Sequence, residues 1–154
     1  MKRELRINLI NAKVRDLENS LIYVKEFLPS DSKHLKDRGT KNKLYKEVEF
    51  SIQLCLDICS IINSDIGKET PNSEDDIFNL AEKEKVISSG LSKKLQEMKG
   101  FRNLLVHRYG EIDDEISYVN IKNGLKDFDS FIKEVKVFLE KNRKSKVIIT
   151  DFKP

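Results

Sequence analysis

The run Phe101-Arg102-Asn103-Leu104-Leu105-Val106-His107-Arg108-Tyr109 holds side chains suited to work on a phosphodiester. Arg102 presents a planar fork of donors to a phosphate and to the charge that develops on it in a transition state. His107 exchanges a proton near neutral pH. It can take one from a ribose 2′-hydroxyl or give one to a departing 5′-oxygen. That chemistry needs no metal. Asn103 adjoins Arg102 and could orient either the phosphate or the histidine.

The arginine stands in an unusual place. Leu91, Leu95, Met98, Arg102 and Leu105 follow one another at intervals of 4, 3, 4 and 3, the spacing of one core-facing helical stripe. A guanidinium on that face needs a partner or a ligand. A plainer reading of the same residues is an inter-helix ion pair for Arg102 and a helix-terminal cap for His107. On an ideal helix, residues five apart differ by about 140° in direction and about 7.5 Å in rise. Arg102 and His107 therefore converge only if the helix end unwinds near Arg108 or a second chain faces them.

Five helices must position these groups. Ile10, Val14, Leu17, Leu21, Val24 and Leu28 make a stripe that predicts a helix over about 3–28, stopped by Pro29. Residues 30–41 read as a polar loop with room for one helical turn. A second helix over about 42–65 is apolar nearly all round, through Phe50, Ile52, Leu54, Cys55, Leu56, Ile58, Cys59, Ile61 and Ile62. Such a helix is central to its bundle or covered by a second chain. Asp57 sits within it, and a pairing with Arg102 is one of several open possibilities. Ser73 and Asp76 resemble a capping box opening a short helix to about Lys83.

Ser88-Ser89-Gly90 is a break before the arginine-bearing helix, about 91–108; Gly110 and the acidic residues 111–115 end it. The last long helix, about 115–143, carries Tyr118, Ile121, Leu125, Phe128, Ile132, Val135 and Leu139 on one stripe. Gly124 weakens it by about 1 kcal/mol relative to alanine without breaking the pattern. Val147-Ile148-Ile149 has β-branched, strand-like character but no second strand to pair with, so 145–154 reads as a docked or mobile tail behind a domain over 1–144. The expected architecture is all-α, an antiparallel bundle of four long helices and a short one.

The chain has 154 residues, enough for one domain with a real core, and its net charge is 29 − 26 = +3. The charge is clustered: Lys33, Lys36, Arg38, Lys41, Lys43 and Lys46 form one group, Lys141, Arg143, Lys144 and Lys146 another. Either could meet nucleic-acid phosphates, although lysine-rich solvated faces are common. No apolar stretch approaches a membrane span and the N-terminus lacks a signal-peptide pattern, so a cytoplasmic protein is expected. Cys55 and Cys59 read as buried, inert thiols rather than metal ligands, since no histidine lies at ligand spacing beside them.

Gly100 through Tyr109, followed by Ile112-Asp113, resembles the signature of the HEPN superfamily, and most of all its HepT-type toxins. Their pattern is an arginine, four residues, a histidine, one residue and a tyrosine. The helix order, the Gln53 to Asp57 segment and the short third helix are similar as well, over roughly 3–140. The resemblance implies a homodimeric helical bundle acting as a metal-independent endoribonuclease without a cofactor, the arginine and histidine of both protomers lining one cleft. By that match Arg102 holds the scissile phosphate of an RNA substrate, His107 is the general acid/base and Asn103 supports them. It also implies a partner, a minimal nucleotidyltransferase antitoxin that transfers AMP from ATP to the motif tyrosine, here Tyr109. Gly110 departs from the family, where a bulky aromatic is common.

Three readings follow. The first is an RNA-cleaving toxin silenced by its partner. The second is a non-catalytic partner or substrate-binding subunit of a nucleotidyltransferase, to which the acidic residues 111–115 lend support by opposing RNA. The third is a purely structural dimer with a buried Arg102–Asp57 pair.

Overall fold

The computed structural model describes residues 4–107 and 112–151, and the side chains of these except Lys36, His107 and 144–151. The helices are α1 (Ile7–Phe27), α2 (Arg38–Ile66), α3 (Glu74–Lys83), α4 (Ser89–His107) and α5 (Asp114–Asp151), with a 3₁₀ turn at Ser32–Lys36 between the first two. Among the described residues there is no strand, so the architecture is all-α as expected.

Side-chain bonds fix the directions. Arg6 bonds Asp65 while Ser20 bonds Glu47 and Ser51, so α1 and α2 run antiparallel. Lys136 meets Glu18 and the Tyr118 hydroxyl donates to the Pro29 carbonyl, so α1 and α5 are antiparallel too. Tyr45 and Lys41 both donate to Asp114, which places the starts of α2 and α5 together. Ser88 on the approach to α4 donates to Glu134 on α5, so those helices also oppose one another. The C-terminus of α4 thus lies at the same end of the bundle as the basic N-terminus of α2.

The apolar stripes of α1 and α5 pack inward as their spacing predicts: Ile10, Val14, Leu17, Leu21 and Val24 are buried, and so are Ile121, Phe128, Val135 and Leu139. Helix α2 takes the central place. Its Ile52, Leu54, Cys55, Leu56, Ile58, Cys59 and Ile62 are buried against α1, α3 and α4 of the same chain. Of the two explanations for its all-round apolar character, the central position accounts for these residues without a second chain. Phe50 alone among its large apolar groups is well exposed.

Helix α1 begins at Ile7 rather than near residue 3, and three further boundaries differ from the sequence expectation, each for a local reason. Helix α2 begins at Arg38, because the Asp37 carboxylate accepts from the backbone N–H and the hydroxyl of Thr40; the cap overrides Gly39 in the first turn. The turn after α3 comes at Lys85 rather than at Ser88-Ser89-Gly90. Lys85 adopts φ 63°, where glycine is usual, while Val86 N–H bonds the Ala81 carbonyl and Lys85 N–H that of Glu82. This is the paired Schellman closure, and Val86 is buried behind it. Ser88 is then the N-cap of α4, its hydroxyl accepting from Leu91 N–H. Last, α5 continues past 143 to Asp151, through the strand-like Val147 to Ile149 segment. Extending an existing helix adds a hydrogen bond per residue, and β-branched residues lower its propensity only by tenths of a kcal/mol.

Candidate functional site

Arg102 sits near the C-terminal end of the core-facing stripe of α4, between buried Leu95 and Leu105, with its side chain 10% exposed. Its head does not enter the dry core. It emerges on the wall of an open cleft of about 580 Å³ between α2, α4 and the start of α3, lined by Lys46, Phe50, Gln53, Glu74, Asn103 and Val106 among others. The apolar stem continues the stripe while the guanidinium reaches the surface.

In each of its described hydrogen bonds the guanidinium donates. Nη1 donates to Gln53 Oε1 at 2.6 Å and Nη2 to Glu74 Oε1 at 2.5 Å. The edge formed by Nε and Nη2 points both N–H groups at Asn103 Oδ1, at 3.2 and 2.7 Å. Gln53 in turn donates through Nε2 to Asp57 Oδ1 at 2.9 Å. The direct Arg102–Asp57 pair of the structural reading is therefore absent among the described residues. The ion-pair partner is Glu74, and Gln53 stands between Arg102 and Asp57. Glu74 escaped the sequence reading because nothing in linear order links the first turn of α3 to α4. Ser73-Glu74-Asp75-Asp76 reads fully as a capped, acidic helix start, and it is one: Ser73 accepts from Asp76 N–H, and Asp76 accepts from Asn72 N–H.

His107 is the last residue of α4. Tyr109 lies outside the described residues. Asp113 caps α5 by accepting from the N–H groups of Glu115 and Ile116, and Ile112 packs on the core, so Ile112-Asp113 fixes where the chain resumes after the motif. The cleft's cations face matching carboxylates: Lys46 meets Glu49 at 3.5 Å, and Arg102 meets Glu74. The two cysteines lie elsewhere, fully buried; burial pushes both thiols well above their ordinary range, so neither is a nucleophile.

An all-helical bundle with an arginine held on a cleft wall, an amide beside it and a histidine at the same helix's end places the protein among helical bundles that carry polar side chains in a surface cleft. Residues 17–135 match the family described as Ribonuclease HepT-like, well over half of the chain. The chain belongs to the ribonuclease HepT-like family. It is 26% identical over 129 residues to the mRNA nuclease HepT of Shewanella oneidensis, spanning 84% of this chain and 97% of that protein. The solved structure of a tri-AMPylated HEPN toxin of Shewanella oneidensis in complex with MNT antitoxin superposes with a TM-score of 0.77 at 26% identity, over 83% of this chain and 96% of that one. The cytosolic protein YutE of Bacillus subtilis shares the fold, with a TM-score of 0.78 at 21% identity over 90% and 94% of the two chains. The fold is HEPN-like, and no described helix is long and apolar enough to cross a membrane.

Proposed function

We propose that this protein is a metal-independent endoribonuclease toxin, silenced when a nucleotidyltransferase antitoxin attaches AMP to Tyr109. The observation that carries the reading is the family membership joined to the position of Arg102, whose guanidinium faces an open cleft. Arg102 grips the scissile phosphate and stabilises the charge of the pentacoordinate state. His107 takes the proton from the 2′-hydroxyl as that oxygen attacks phosphorus. The 5′-oxygen leaves with a proton from a general acid, for which the second protomer's copy of the histidine is the natural donor. The products are a 2′,3′-cyclic phosphate and a free 5′-hydroxyl. Asn103, once displaced from the guanidinium, is free to bond the phosphate itself.

The active unit in this proposal is a homodimer with the cleft at its interface. Phe50 and Val106, 48% and 49% exposed, line the same cleft as Arg102 and offer apolar surface for a second copy to cover. Tyr109 lies two residues beyond His107 in the sequence. Its phenolic oxygen attacks the α-phosphate of ATP on the antitoxin and releases pyrophosphate. The attached AMP brings negative charge and bulk to the cleft mouth, and RNA is repelled and blocked.

Unmodified protein is expected to cut RNA in EDTA and to leave cyclic-phosphate ends; a requirement for added metal, or linear 3′-phosphate ends formed without a cyclic intermediate, contradicts the mechanism. Protein co-expressed with its antitoxin is expected to gain the mass of one or more AMP units, lost in Tyr109→Phe. Retention of the added mass in that variant moves the modification to another residue. Complete absence of RNA cutting by unmodified chain that still binds the nucleotidyltransferase would favour the non-catalytic partner reading instead.

A further inference from the structure

We infer that Glu74 is a positioning residue for Arg102: from the first turn of α3 it holds the guanidinium so that the Nε–Nη2 edge faces the cleft as the phosphate seat. The inference rests on the ribonuclease reading of the cleft. A guanidinium has five N–H donors. Gln53 takes one from Nη1 and Glu74 one from Nη2, while Nε and the other Nη2 hydrogen converge on Asn103 Oδ1. The two kinds of contact differ in strength. Glu74 is an anion from a different helix, and its bond is charge-assisted. Asn103 is a neutral amide on the adjoining residue, one of its two contacts is long, and its oxygen alone spans an edge built for two oxygens.

An arriving phosphate therefore displaces Asn103, not Glu74. It takes the Nε–Nη2 edge in the bidentate manner an arginine favours. Glu74 and Gln53 stay in place and keep the fork from turning. Glu74 can keep this station because α3 is fastened to α4 at several points, Gln96 to Asn79 among them, so that losing any one leaves it in place. Asp75 pairs with Lys99 at 2.8 Å, one turn before Arg102, and Ser92 bonds the Phe78 carbonyl. The Asp75–Lys99 pair also supplies a control, since it joins the same two helices without touching Arg102.

The test combines turnover with a direct view of the guanidinium, using the full-length unmodified protein. Glu74→Ala is expected to lower kcat on a short RNA by about 10- to 100-fold with KM changed by no more than about threefold, the scale of a misplaced catalytic contact. Glu74→Gln keeps an oxygen acceptor and is expected to recover most of that loss, whereas Asp75→Ala leaves kcat within about twofold although it breaks the neighbouring pair. In ¹⁵N spectra, rotation about the Arg102 Cζ–Nη bonds is expected to be hindered in the wild type and in Asp75→Ala, and free in Glu74→Ala. Three results overturn the inference. One is a Glu74→Ala variant that binds RNA more tightly with undiminished kcat, because Glu74 would then be competing with phosphate. Another is an equal fall in kcat for Asp75→Ala and Glu74→Ala, which marks a purely structural role. The third is an Arg102 spectrum unchanged by Glu74→Ala. That last reading stands even if the wild type cuts no RNA, an outcome that would reject the ribonuclease reading instead.

Discussion

At the scale of single residues, well-matched buried charges contrast with a poorly matched one. Arg102 is surrounded by acceptors, and Asp65, buried at the far end of α2, receives both the backbone N–H and the Nε of Arg6 at 3.0 and 2.9 Å. Glu84 differs from both. Its Oε2 is buried with no hydrogen-bond partner among the described residues, and burial, aided by the nearby Glu69 carboxylate, raises its pKa. A carboxyl whose pKa is higher folded than unfolded makes the folded state bind protons more readily across that interval, so stability falls as pH rises through it. The ionised group is then a standing cost at neutral pH. Glu84→Gln is expected to raise the urea midpoint at pH 7, with the gain shrinking as pH falls from the raised folded value towards the ordinary glutamate value and absent below it. An equal effect at pH 7 and pH 4 would show that charge is not the cause. Arg102 was conspicuous in the sequence because a cation broke an apolar stripe. Its true partner was not, because Glu74 breaks no pattern of its own.

At the scale of elements, legibility follows how local the determining interaction is. The stripes of α1, α4 and α5 depend on periodicity within one segment, and burial matches them closely. The Ser73 cap was legible for the same reason. The Asp37 cap was hidden by Gly39, and the Lys85 turn by the absence of glycine at the one left-handed position, so both ends were displaced. Gly124 tests how far propensity still operates inside a packed helix. It lies within α5, where an added methyl group would meet Met98 Cε at 3.6 Å, an ordinary contact. Gly124→Ala should therefore stabilise the protein by about 0.5–1 kcal/mol, read from urea denaturation. A loss of stability would mean that the space beside Met98 is not available to the methyl group.

At the scale of the whole molecule, the alternating directions of the four long helices bring the C-terminus of α4, the start of α5 and the lysine-rich start of α2 to one end. Arg102 and His107 lie on a helix that terminates there, and part of the basic cluster is already engaged: Lys41 with Asp114, Lys43 over the Phe27 ring, Lys46 with Glu49. The all-round apolar α2 is explained by its central place in the chain. The case for a second copy rests instead on Phe50 and Val106 beside the cleft, a distinction of exposure that sequence alone could not draw. What the sequence did carry was the run from Arg102 to Tyr109 itself, because residue types and their spacing are read in linear order, whatever packs around them. The most direct test of the account is the cleavage of labelled RNA in EDTA by unmodified wild type and by His107→Ala. The account predicts cyclic-phosphate products from the wild type and none above background from the variant, with both proteins equally folded; full cleavage by His107→Ala would contradict it.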